Sequence, residues 1–235
     1  MAQQWLSKLK SVSFWLWVLL GLSVVQEFYL RNITDARLWI DVVGTVTNWA
    51  DLIAVQALAN LNATGLLFRI WSLGYGYRRI LALLVATVLF KVTLVFVVGL
   101  AMALITAFLA SADVEHSSFA SFAWQQAVLR MPHQFFLSVF ISVWGIWLAL
   151  LTRGRYTLLF YLAFIFSHLL FGSLFKMLFG PELGGKLAVY LPTGLEGLLY
   201  REPDNLFYQA LCVAELLAAL GLAYVCMPAI RSVRR

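Results

Sequence analysis

Charge is scarce in this sequence. Only 12% of its 235 residues are Asp, Glu, Lys or Arg, about half of the roughly 25% found in soluble domains. With 63% hydrophobic residues, that shortage excludes an ordinary soluble globular protein. Alternating segments of about 10 residues are also missing, which excludes a transmembrane β-barrel. Cysteine is limited to Cys212 and Cys226 in one predicted helix. At about 1.5 Å per residue they stand too far apart to bridge one another, so they carry no information on redox compartment. No basic tail is long enough to point to nucleic acid. Arg231, Arg234 and Arg235 at the end read as a topology anchor or a lipid-headgroup contact. No polar connection is long enough to hold a soluble domain, so residues 1–235 read as a single transmembrane domain.

What the chain does have is apolar runs of about 20 residues or more, the length that crosses a hydrocarbon core of about 30 Å. The expected fold is all-α, a polytopic transmembrane helical bundle. The first span covers 13–30, with Trp15 and Trp17 near its start. Lys8 and Lys10 ahead of it imitate a signal peptide, but no small-x-small cleavage site follows, so the span is read as uncleaved. Residues 42–61 form a weakly apolar second span holding Thr45, Thr47, Asn48, Asp51, Gln56 and Asn60. Such a helix must turn its polar side into the bundle. Further spans are expected at 80–110, 135–151, 156–179 and 207–227. A short interfacial helix is expected at 119–129, within a polar connection. Residues 187–200 are apolar but interrupted by Pro192, Gly194 and Gly197. They read as an outer interfacial or re-entrant hairpin before the last span.

Six spans place Lys8, Lys10, Arg69, Arg78, Arg79, Arg153, Arg155, Arg231, Arg234 and Arg235 on one face. Arg31, Arg37, Arg130, Lys186 and Arg201 fall on the other. The richer face is the cytoplasmic one, which puts both termini inside, as in a bacterial inner membrane. Five spans, with 42–61 not crossing, are the alternative. They give the same ten-to-five division of bases but export Lys8 and Lys10.

Residues 180–186, Gly-Pro-Glu-Leu-Gly-Gly-Lys, match the core of a phosphate loop. The next residue is Leu187 instead of Ser or Thr, and no strand precedes, so the match is coincidence. His168 is the only histidine within a span, too few for a haem held by two. His116 and His133 lack metal-ligand spacing. No nucleophile–base constellation appears, and neither an enzyme activity, a metal nor a cofactor is expected. The charges at membrane depth are Glu27, Asp51, Lys91, Lys176 and Glu215. All should face protein or water. Lys176, near a helix end, snorkels most simply. The depths of Asp51 and Lys91 match in consecutive spans and suggest an ion pair. Its simpler meaning is structural; its functional meaning is a polar path or proton relay.

Residues 62–79 separate the second span from the third. They are aromatic and basic, with Arg69, Arg78 and Arg79 and no acid. Helical spacing puts Leu66, Leu67, Ile70 and Trp71 on one side with Arg69 beside them. That suits a short surface helix or one docking into a partner; the simpler reading is an interfacial loop with aromatic anchors.

In the order of its parts the chain resembles the six-span permease subunit of an ATP-binding-cassette exporter whose ATPase is a separate chain. The resemblance rests on a short basic N-terminus, a second span leading into Leu66-Leu-Phe-Arg-Ile-Trp-Ser-Leu-Gly-Tyr-Gly-Tyr-Arg-Arg-Ile80, a long third span containing Lys91, and the Pro192 region before the last span. Asn62 and Gly74 stand near where that family often has an acid and a proline. The resemblance implies that Leu66, Leu67, Arg69, Ile70 and Trp71 form a coupling helix docking on a separate ATPase subunit. It also implies a homo- or heterodimer of permeases in the lipid bilayer and no nucleic acid. The alternative function is a non-catalytic membrane subunit of a larger secretion or respiratory assembly.

Overall fold

The structure, a computed structural model, describes residues 11–30, 38–111, 121–189, 195 and 205–228. It is all-helical, with no strand among the described residues. The helices are α1 (Val12–Leu30), α2 (Leu38–Ala63), α3 (Leu66–Ser72), α4 (Tyr77–Ser111), α5 (Ser121–Leu151), α6 (Thr157–Ile165), α7 (Ser167–Val189) and α8 (Leu206–Cys226). Five of them, α1, α2, α4, α5 and α8, are long and apolar enough to cross a membrane, the mark of an integral membrane protein.

The weakly apolar second segment is one of these five. Its helix runs 26 residues, and 61% of its spanning window is buried against 17% for α8. The reason lies in its side chains. Thr47, Asp51 and Asn62 are buried, and polar groups at membrane depth are tolerated only against protein or water. The segment that breaks instead is 156–179. There α6 ends at Ile165, and α7, beginning at Ser167, is interrupted at Gly180, so neither piece alone passes as an uninterrupted crossing. The separate interfacial helix expected at 119–129 is corrected: from Ser121 onward these residues are the first turns of α5, which continues through Pro132 to Leu151. One lost N–H at Pro132 does not end a helix when membrane neighbours re-satisfy the freed carbonyl.

The chain divides into two compact units, Met1–Ala54 with Leu89–Ser138, and Val55–Val88 with Val139–Arg235. In the first, α1 and α2 pair through Phe28 and Trp39, with ring centroids 5.9 Å apart. Thr45 Oγ1 also donates to Glu27 Oε1 at 3.1 Å. On another side of α2, Val46 presses onto Gly99 of α4, where a Cβ would lie 2.7 Å from Val46 Cγ2. Phe96 of α4 meets Phe135 of α5 edge-on at 5.6 Å. Lipid tails are as apolar as leucine, so association in a bilayer relies on such close van der Waals approach and on buried hydrogen bonds.

In the second unit, the end of α2 runs alongside the end of α5. Val55 lies against Gly145, and Asn62 Nδ2 donates to Ala149 O at 2.7 Å. Both contacts advance in the same chain direction, so the two ends are parallel. Tyr77, at the start of α4, meets Tyr224, at the end of α8, at 6.4 Å. Helix α7 doubles back on itself. Gly180 has φ 82° and ψ 165°, a conformation that only glycine adopts freely, and Pro181 starts the returning arm. Gly184 of that arm lies directly on the backbone of Phe175 and Lys176. The chain therefore turns back at Gly180, ahead of the hairpin expected at 187–200, most of which lies outside the described residues.

Candidate docking surface and intramembrane polar residues

Helix α2 ends at Ala63 and the chain reverses through Thr64 and Gly65. Thr64 Oγ1 donates to Asn60 O at 2.8 Å, and Gly65, with φ 69°, donates its N–H to Asn62 O at 3.0 Å. The next turn starts at once, with Arg69 N donating to Gly65 O at 3.0 Å. Its far end is closed by Ser72 Oγ donating to Arg69 O at 2.7 Å and by Gly74 N donating to Trp71 O at 3.0 Å. Gly74 is again left-handed, with φ 89°. The result is a seven-residue helix hung between two long ones on glycine turns. Of the residues expected to form one apolar side, only Leu67 is buried in this chain. Leu66 and Arg69 are exposed, while Ile70 and Trp71 are half-buried. Trp71 leans on Phe68, with centroids 5.8 Å apart. Just beyond, Leu73 is 75% exposed and the Arg79 guanidinium stands 6.0 Å from the Tyr75 ring centre.

Beside the root of α3 lies a second basic element, Thr152-Arg-Gly-Arg155, whose two arginines the sequence reading places on the same face as Arg69. Residues 152–155 join α5 to α6. Arg153 is left-handed at φ 53° and Gly154 at φ 79°. Gly154 is pressed onto α2 so closely that a Cβ there would stand 2.5 Å from Ala59 O and 2.6 Å from Ala63 N. Its N–H donates to Ala149 O at 3.0 Å, the same carbonyl that Asn62 holds at 2.7 Å. Thr152 and Thr157 share a hydroxyl hydrogen bond of 2.7 Å across the turn. Asn62 is thus a structural clamp between the end of α2 and the end of α5. In the sequence it stands only near where the resembled family often has an acid, and a partner 87 residues away leaves no local signal.

The intramembrane polar residues separate. Asp51 is buried and accepts a hydrogen bond from the hydroxyl of Ser138, itself fully buried. Among the described residues no ion pair joins Asp51 to Lys91. The Lys91 ammonium stands 5.6 Å from the ring centre of its neighbour Phe90. Helix register accounts for this. Where Val46 faces Gly99, Asp51 lies five residues on and Lys91 eight residues back, turning the two about 140° and about 80° away from that seam. Glu215 is half-buried in α8, and its Oε2 has no hydrogen-bond partner among the described residues. No group of three His, Cys, Asp or Glu that could hold a metal occurs among the described residues. His116 and the side chain of His168 lie outside them. No protein-family model matches the chain, nor does any curated protein or solved structure.

Proposed function

We propose that this chain is the membrane permease subunit of an ATP-driven exporter of the ATP-binding-cassette type, working as a dimer with a separate ATPase. The observation that carries the reading is α3. A seven-residue helix set on left-handed glycines between two long membrane helices is a rigid lug. It buries one residue, Leu67, and leaves Leu66 and Arg69 exposed. A short helix with exposed apolar and arginine anchors suits a partner's groove. In this reading both termini and α3 are cytoplasmic. Helix α6 with the first arm of α7 makes a sixth, interrupted crossing: residues 157–179 would extend about 35 Å if helical throughout. ATP-driven closure of the partner pushes on α3, and α2 and α4 carry the displacement into the bundle.

The test is purification of the full chain from its native membrane under mild extraction, with assay of vanadate-sensitive ATP hydrolysis in the recovered complex. Wild-type protein should bring down an ATPase chain. Trp71→Ala and Arg69→Glu should reduce its recovery severalfold at equal expression, with membrane insertion unchanged, because neither residue is buried in this chain. If wild-type protein recovers no ATPase, the exporter reading gives way to the accessory subunit of a larger assembly.

A further inference from the structure

The two side-chain hydrogen bonds that join α2 to α5 share one register. Asp51 accepts from Ser138, and eleven residues further along each helix Asn62 donates to Ala149, an offset of 87 both times. Side chains four apart lie on one face of a helix. One turn before the Asp51–Ser138 contact, Thr47 of α2 therefore stands opposite Gln134 of α5. All four residues belong to the first compact unit, and each is at most 5% exposed. Asp51 is the fourteenth of the 26 residues of α2, which sets this polar layer midway along the helix. Its hydrogens run out before its lone pairs do. Thr47 Oγ1 gives its hydrogen to Val43 O at 2.8 Å, and Ser138 gives its hydrogen to Asp51. A hydroxyl has one hydrogen and two acceptor positions, and the Asp51 carboxyl offers several acceptor positions more. The two amide hydrogens of Gln134 cannot cover the remainder, and Gln134 adds a carbonyl oxygen of its own. Val43, Ala50, Ala54 and Leu137, buried in the same unit, bring only apolar side chains.

We infer that Thr47, Asp51, Gln134 and Ser138 bind one sodium ion. A surplus of oxygen lone pairs is what a hard cation requires. The Asp51 carboxylate balances one positive charge. A divalent ion would leave a net charge at membrane depth, where charge is costly. Size and ligand number set the choice among hard cations. The direct contact of Asp51 with Ser138 leaves little space between the two helices, which favours sodium over the larger potassium. The ion ties α2 to α5 in the middle of the bilayer. The site does not depend on the exporter reading, since none of its four residues belongs to α3.

The test is the thermal midpoint of the full chain in detergent, in sodium, potassium or choline chloride at equal ionic strength and pH. Sodium alone should raise the midpoint, and the rise should saturate. At a hundred times the half-saturating concentration it should reach about 5–10 °C, as a ligand that binds only the folded state requires. Equal midpoints in the three salts overturn the inference. Asp51→Asn should abolish the response. Thr47→Val, which keeps the shape and removes one oxygen, should raise the half-saturating concentration severalfold. It also decides the matter if Asp51→Asn does not fold. Glu215→Gln changes the carboxyl of another span and should leave the response as it is. A sodium response unchanged in Thr47→Val or retained in Asp51→Asn overturns the site, as does its loss in Glu215→Gln. Equilibrium binding of radiolabelled sodium should give one ion per chain, displaced by unlabelled sodium and not by potassium. Displacement by both alike overturns the choice of ion, and no binding overturns the inference outright.

Discussion

At the scale of single residues, polar side chains set the terms. Asp51 sits in the most polar of the long helices and is buried together with Ser138, whose hydroxyl it accepts. Side-chain hydrogen bonds inside membrane bundles average about 0.6 kcal/mol and reach about 1.7 in double-mutant cycles. A bond with both partners buried belongs at the upper end. Ser138→Ala and Asp51→Asn should each lower stability in detergent by about 1–2 kcal/mol, and their double mutant should lose less than the sum. Lys91→Met should instead add independently to Asp51→Asn, because the two residues turn away from the seam between α2 and α4. Recovery of stability in the Asp51→Asn, Lys91→Met double variant would restore the ion pair inferred from depth alone. Depth was legible in the sequence because helical rise is fixed. Azimuth was not, because it depends on which faces of α2 and α4 pack, and the small-residue contact of Gly99 with Val46 decides that.

At the scale of elements, the sequence reads well where periodicity and polarity agree and poorly where backbone contact rules. The polar content of residues 42–61 led to a helix turned inward, and α2 is such a helix. Helix α3 was legible from its helical spacing, against the simpler reading as an interfacial loop; the glycine turns that hold it were not. The fold-back of α7 was not. Its Gly-Pro-Glu-Leu-Gly-Gly-Lys resembles a phosphate loop in one dimension, whereas in three dimensions the glycines let two helical arms touch. The two adjacent glycines make a controlled comparison. A methyl group at Gly184 would collide with Phe175 and Lys176 backbone, which cannot swing aside. At Gly185 the nearest atom is Lys176 Cε at 3.7 Å, ordinary contact. Gly184→Ala should therefore cost about 1–3 kcal/mol, the range for overpacking, and lower the thermal midpoint. Gly185→Ala should be neutral or slightly stabilising, since alanine is the better helix former. Equal behaviour of the two variants in a detergent melt would mean the arms do not lie against each other.

At the scale of the whole molecule, the open quantity is the number of crossings, and it turns on 157–179. Among the described residues five helices pass as uninterrupted spans. An odd number would put the termini on opposite faces. The interrupted pair α6 and α7 changes the parity if it crosses, because Arg155 and Glu182 then lie on opposite sides. Both residues are exposed, so both can report. In a background with Cys212 and Cys226 replaced, single cysteines at Ser72, Arg155 and Glu182 should divide under a membrane-impermeant maleimide. Ser72 and Arg155 should label from one side and Glu182 from the other. The first two belong together because Gly154 is packed on the end of α2 from which α3 departs, and the basic residues on both favour the cytoplasm. Glu182 follows the turn at Gly180, beyond enough residues to traverse a core of about 30 Å. Labelling of all three from one side would remove the proposed sixth crossing and, with it, the shared cytoplasmic face proposed for the two termini. Labelling of Ser72 and Arg155 from opposite sides would go further and contradict the Asn62 clamp itself, because a side chain cannot hold Ala149 across a bilayer.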